Sequence, residues 1–508
     1  MLRASAASCG CRARRLRDAD QQAGVDAVDA LVATQLRPGI EPAAGERDGA
    51  AVAARVDALL AQPLTLERAV GVALLNNPRM LAEYAQLGVA RGDLIDASRL
   101  PNPRFGWLRE DEGESHVYTQ SLSQEFAAAL LLGARKRISQ VEYARVQLSI
   151  AAAVIDLAAD VEVAWFEALA AEQVAAMRAV VAKAAGLSAA LAGRFHDAGN
   201  LPRLELALEQ AAASSAAIES SRAAAQARSA RAQLATLLGV RSSVPLKLPA
   251  SLPAPPPGRY IEARLIARAA QERLDLAAAI RERELRADAL NLARNWRWLG
   301  ALELGVERET EGGDVRVRGV EASIELPIFQ QGQAAIARAE GELAGADARL
   351  AELRLAIDNQ IALAVERVEV ERQIAQDYRT LLLPQREAIV DGTQREVNFM
   401  FEGAFELLRV KQEQYAAYQE YIEVVRDYWI ARVELRRAVG GPLPDDDENF
   451  EPTIGVEAVL PRTGLRGHEH HGAKGQRETS PIWRAAQLTP AAFTTTTSLT
   501  YRDPSPPP

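Results

Sequence analysis

Apolar positions recur three and four residues apart over most of this chain, the spacing of one face of an α-helix, and two residues apart in only a few short stretches. "LTLERAVGVALLNNP" opens a helix at Leu64 with Thr65 as its cap. The helix restarts near Pro78 and runs to about Arg99, and Pro101 and Pro103 of "LPNPRFGWL" end it. The period then falls to two over roughly 103–109 and 116–125, which predicts a strand pair with "REDEGES" as its charged turn. A very long helix follows, from about Gly133 to Ala198. Ile150, Val154, Leu157, Val161, Ala164, Ala168, Ala171 and Ala175 form a heptad seam along it. Gly199 and Pro202 stop it, and another helix spans about Leu204 to Leu238. The Pro-rich "GVRSSVPLKLPASLPAPPPG" reads as an extended linker.

The order then repeats. A helix of about 259–295 leads into "NWRWLGALELGVERE", where Trp296, Trp298, Leu302, Leu304 and Val306 alternate with Arg297, Glu303 and Glu307. That alternation is a strand with one large apolar face. After a turn at "TEGGD" a second strand lies near 315–326. Another long helix, about 332–402, has its seam at Ile336, Ala339, Leu343, Ala346, Leu350, Leu353 and Ile357. Beyond Gly403 a last helix runs to about Val439, with Leu407, Val410, Gln414, Ala417, Tyr421, Val424, Tyr428, Ala431 and Leu435 as its seam.

Helix, two strands, long helix, glycine turn, helix: the order occurs twice. Phe195, Gly199, Leu204 and Gln210 match Phe399, Gly403, Leu408 and Gln414 at one constant spacing. The expected segments are an N-terminal extension 1–63, a first repeat 64–240 with its hairpin at about 103–125, and a linker 241–258. A second repeat 259–441 follows, with its hairpin at about 296–326, and then a disordered tail 442–508. The fold class is mainly α with a small β part. At 1.5 Å per residue each long helix reaches roughly 100 Å. Four strands cannot close a barrel, and lipid does not tolerate open edges. The strands are long enough to cross a bilayer when tilted. Three chains would supply twelve strands and a matching helical barrel.

Composition narrows the picture. The chain has 508 residues and a net charge of −9. It has no basic block of the kind that binds nucleic acid and no apolar run of membrane-helix length. Cys9 and Cys11 are the only cysteines, which excludes a disulfide framework and a four-cysteine zinc site. Small residues Ala6, Ala7 and Ser8 precede Cys9, as at the end of a lipoprotein leader, but too few residues stand before it for a complete one. Either the leader starts upstream or the Cys-Gly-Cys is incidental.

With these stretches in view, the chain resembles the TolC-like outer-membrane efflux proteins from about Leu64 to Gly441. "LTLERAVGVALLNNP", "SRLPNPRFGW", "SIELPIFQQGQAAIARAE" and "FEGAFELLRVKQEQYAAYQEYI" carry the resemblance. The extension before Leu64 looks most like the lipoprotein branch associated with heavy-metal efflux. The resemblance implies a homotrimeric passive duct with a β-barrel in outer-membrane lipid and an α-barrel across the periplasm. It also implies docking to a periplasmic adaptor (membrane fusion protein) and an inner-membrane pump of the RND type. No enzymatic activity and no cofactor are implied. The periplasmic tips would fall at Gly199 and Gly403, with Glu205 and Glu406 as the nearest constriction carboxylates, and Cys9 would carry the lipid anchor.

Individual residues add candidate chemistry. His468, His470 and His471 are spaced closely enough to hold Cu(II), Ni(II) or Zn(II), or they belong to an incidental polar tail. His116 and His196 read as surface or tunnel-lining residues, and "DDDE" at 445–448 as a solvated linker. Phe105, Trp107, Trp296 and Trp298 fit a membrane-interface belt better than a soluble core. The expected cargo is a heavy-metal cation, attracted weakly by carboxylates such as Glu303 and Glu307. The alternatives are a duct for organic drugs and a coiled-coil scaffold at the cell envelope.

Overall fold

A computed structural model of the chain describes residues 22–37, 40, 49–112, 115–298, 302–311, 315–326 and 328–443. Cys9, the histidine cluster at 468–471 and "DDDE" lie outside the described residues. Helices dominate, and one four-stranded antiparallel sheet, β1-β2-β3-β4, is the only sheet among these residues.

The first repeat contains α3 (Leu66–Asn76), α4 (Pro78–Ala97), β1 (Arg104–Glu112), β2 (Ser115–Glu125), α5 (Ala127–Asp197) and α6 (Arg203–Leu237). The second contains α7 (Glu262–Glu272), α8 (Leu274–Asn295), β3 (Leu302–Glu311), β4 (Val315–Ile324), α9 (Gln333–Asp377), α10 (Leu383–Asn398) and α11 (Ala404–Val439). Two shorter helices precede them, α1 (22–33) and α2 (Gly49–Leu60). The 71 residues of α5 reach roughly 105 Å at the α-helical rise. Its heptad seam is buried at Ile150, Val154, Leu157, Val161, Ala164 and Ala168, where alanines let neighbouring helices approach closely.

Four sequence expectations need correction. The charged "REDEGES" is not all turn, because β1 and β2 stay paired out to Glu112 and Ser115. Trp296 and Trp298 precede the strand: α8 extends to Asn295, Trp296 is its C-cap, and β3 starts at Leu302. The expected single helix over 259–295 breaks at Arg273, whose ψ of 119° is extended. The helix over 332–402 contains a π-helical turn, Tyr378–Leu382, directly before α10. Pro384 in the first turn of α10 cannot donate to the preceding turn, and the π turn absorbs that mismatch.

The break at Arg273 has a counterpart at Asn77, where ψ is 121°. Each break is clamped to the glycine that ends the returning helix. Asn76 and Asn77 donate to the carbonyls of Leu238, Gly239 and Leu237. Arg273 donates to the carbonyl of Ala438 at 2.8 Å. Gly239 and Gly440 have φ of +69° and +82°, and a Cβ on Gly239 would sit 2.5 Å from the Asn76 carbonyl oxygen. Duplication therefore extends to how each repeat closes on itself.

The core lies midway along the long helices. Phe166 of α5 stacks on Trp429 of α11 with centroids 5.2 Å apart. Trp165 donates its indole N–H to the Leu64 carbonyl, and Trp429 donates to the Pro253 carbonyl, which ties the lead-in of each repeat to the core. Val25, Val28, Val32 and Leu36 of the N-terminal segment are buried in the same core.

Candidate functional site: sheet faces and helical tips

The register of the sheet sorts its side chains into two chemically different faces. Phe105 pairs with Leu122, Leu122 with Val306, and Val306 with Val320, so one apolar row crosses all four strands. Leu304 and Ile324 share this face, and all six side chains are exposed. The opposite face carries Glu303, Glu307, Glu309 and Glu321 among Gly106, Gly305, Gly319, Ser121 and Ser123. Ser123 donates to Glu303 at 2.5 Å. Small residues and carboxylates on one face, and bulky exposed hydrophobes on the other, are the pattern of a sheet between water and lipid. β1 and β4 each leave one edge unpaired within the chain.

Aromatic side chains flank the apolar rows at both ends. Trp107 lies one row beyond Phe105 toward the hairpin tips, and its ring stands 6.1 Å from that of Tyr118. Arg109 lies over Tyr118 at 5.8 Å, and His116 pairs with Asp111 at 2.6 Å. At the helical end Trp296 and Trp298 are exposed, and the Arg297 guanidinium lies 4.8 Å from the Trp298 ring. Phe105 itself belongs to the apolar rows and not to their margin.

At the far end of the long helices, α5 turns into α6 and α10 into α11. Both turns close with the same bonds: Asn200 N–H to Phe195 O at 2.8 Å, and Phe401 N–H to Glu396 O at 2.9 Å. Gly199 supplies the left-handed residue of the first turn at φ +79°. In the second that residue is Met400, at φ +65°, whereas Gly403 has φ −85° and is the N-cap of α11. The matched glycines thus do different jobs. Glu205 and Glu406 are equivalent, each in the first turn of the helix that follows.

The two turns meet through the rings of Phe195 and Phe405, 6.3 Å apart and edge to face. His196 donates from Nδ1 to the Leu201 carbonyl at 2.8 Å and braces the first turn. Glu205 is exposed and has no ion-pair partner among the described residues. Glu406 is held by the Arg409 guanidinium, whose hydrogen bond and charge keep the carboxyl below its ordinary range. The second turn projects Phe399, Met400 and Phe401, the last two more than four-fifths exposed. Sequence reading missed Met400; its signal was a bulky residue three positions short of the glycine expected to turn the chain.

No helix among the described residues is long and apolar enough to cross a membrane, and none of their His, Cys, Asp and Glu side chains cluster in threes to hold a metal ion. Duplicated helical hairpins of this length, continuous with an amphipathic antiparallel sheet, are the arrangement of the TolC-like fold. No family model matches the chain. It is 26% identical over 390 residues to the cobalt-zinc-cadmium resistance protein CzcC of Cupriavidus metallidurans, covering 75% of this chain and 91% of that protein. It superposes on a membrane protein from Pseudomonas aeruginosa with a TM-score of 0.63 at 19% identity, over 74% of this chain and 93% of the other. The Campylobacter jejuni CmeC outer membrane channel gives a TM-score of 0.63 at 15% identity, over 74% and 85%. The chain thus shares its fold with these membrane proteins and is similar in sequence to CzcC.

Proposed function

We propose that this chain is the outer-membrane duct of a tripartite efflux system, that three copies close it, and that it carries heavy-metal cations. The observation that carries the reading is the sheet: four strands, an exposed apolar face, an acidic face and two unpaired edges. Lipid penalises each unpaired backbone group by several kcal/mol, so the edges must be joined to other copies. Three copies give twelve strands, with the glutamate face inside and the Phe105–Val320 row toward lipid. Trp107 and Tyr118 then mark one membrane interface, and Trp296 and Trp298 the other.

The two helical turns form the periplasmic tip of each copy and meet an adaptor, which couples the duct to an RND-type pump. The duct is passive and performs no catalysis. A metal cargo is supported by the resistance named for CzcC and by the carboxylates on the inner face. The test is growth of a strain lacking the protein on cobalt, zinc, cadmium and copper, beside a drug and dye panel. Sensitivity to at least one metal is expected. Sensitivity to organic compounds alone would overturn the cargo and leave the duct standing.

A further inference from the structure

One step beyond the apolar row, the lipid-side face changes character. Arg308 of β3 stands directly opposite Arg318 of β4, and Gln120 of β2 stands opposite Arg308 on its other side. Trp107 completes the row. Like charges directly opposite on neighbouring strands destabilise a sheet. Neither guanidinium has a carboxylate partner among the described residues. Glu307 and Glu309 flank Arg308 in sequence but project to the other face. The described carboxylate on this face, Asp111, lies nearer the hairpin tip and is engaged by Arg109 and His116.

An arginine on the lipid face of a barrel is costly at mid-membrane and nearly free at the interface. The Trp107 and Tyr118 rings place this row at an interface, where the anions within reach are lipid phosphates. A phosphate between the two guanidiniums would remove their mutual repulsion and accept bidentate bonds from each. The Gln120 amide can donate from the third side.

We propose that Arg308, Arg318 and Gln120 form a binding site for the phosphate of an anionic lipid headgroup on the outer surface of the barrel. This rests on the duct reading, which fixes this face toward lipid. The site anchors the β3–β4 edge at a fixed depth, next to the seam where a neighbouring copy must join.

The full-length protein is reconstituted in vesicles of phosphatidylcholine, with and without phosphatidylglycerol, and co-purified lipid is measured after mild detergent extraction. Wild type is expected to retain phosphatidylglycerol over phosphatidylcholine by roughly tenfold or more, the order expected of two basic residues at an anionic surface. Arg308→Gln/Arg318→Gln should lose most of that preference, while Arg354→Gln on α9 keeps it. Undiminished retention by the double variant would overturn the site. Displacement of the lipid by excess inorganic phosphate would overturn its assignment to lipid. Resistance to carbonate extraction is read in parallel. A wild-type protein that carbonate releases refutes the duct reading itself, whereas a membrane-inserted protein without lipid preference refutes only the site.

Discussion

Glu162 of α5 accepts a hydrogen bond from Arg436 of α11, joining helices of the two repeats through a carboxylate that is 1% exposed. Its other oxygen lies 3.6 Å from Nε of Arg37 in the N-terminal segment. One buried anion thus holds cations from two other parts of the chain. Glu162→Gln keeps the shape and takes from Arg436 and Arg37 the buried carboxylate charge they share. Breaking a buried pair in this way costs about 3–5 kcal/mol. Thermal unfolding in detergent should register it as a clear drop in midpoint, and an unchanged midpoint would show that solvent reaches the cluster.

The tips separate two glycines that look equivalent in sequence. Gly199 at φ +79° occupies a conformation that costs a side chain about 1–2 kcal/mol, and a β-branched one more. Gly403 at φ −85° and ψ 156° sits in the β region with open space around it. Gly199→Val should therefore destabilise its turn, and Gly403→Val should cost less, since it loses only glycine's preference at an N-cap. Met400→Gly should gain about 1 kcal/mol, because the strained residue there is not a glycine. Protease nicking at the tips, compared across the three variants, tests the order. Equal damage from both valine substitutions would contradict it.

How much of this was legible beforehand follows from which forces act locally. The seams of α5, α9 and α11 could be read because burial imposes the helical period over many turns. The strands could be read because one apolar and one polar face impose a period of two. The turn could not be placed to the residue: matched glycines aligned the repeats at Gly403, yet helix ends align them at Met400, three residues earlier. A shift of three is close to one helical turn, so the apolar pattern stays in phase and hides it. The break at Arg273 was hidden for another reason. No proline marks it, and its cause is a long-range clamp to Ala438 and Gly440. The Arg308–Arg318 pairing depends on strand register, which the charged sequence beyond Val306 does not specify by itself.

The N-terminal segment carries a pH-sensitive contact. Burial raises the pKa of Asp29 above the ordinary carboxylate value; the hydrogen bond from Tyr84 at 3.1 Å works against the rise and Asp26 adds to it. The folded state thus binds this proton more tightly than the unfolded state. The ionised carboxylate is a cost at neutral pH, and the cost vanishes as pH falls through the raised folded pKa. Asp29→Asn removes the charge and keeps an acceptor for Tyr84. It should slow hydrogen exchange across α1 (22–33) at neutral pH and match wild type below the carboxylate range. Faster exchange in the variant at neutral pH would mean that the charge helps to dock the helix.

The acidic face of the sheet makes the last prediction. Glu303, Glu307, Glu309 and Glu321 share one face, and Glu303 is oriented by Ser123. A duct gains nothing from tight coordination, since a bound cation would have to leave again before the next could pass. Diffuse attraction raises the local cation concentration without trapping it. Such attraction is screened over about 10 Å at 0.1 M salt and about 3 Å at 1 M. Replacing all four with glutamine should shift the reversal potential toward zero across a salt gradient in planar bilayers at low ionic strength. The difference from wild type should fade at high salt. If selectivity at low salt does not change, these carboxylates do not face the conducting path, and the sheet must be turned the other way, with the Phe105–Val320 row inside. Lipid would then meet four carboxylates, which the cost of charge on a lipid face argues against.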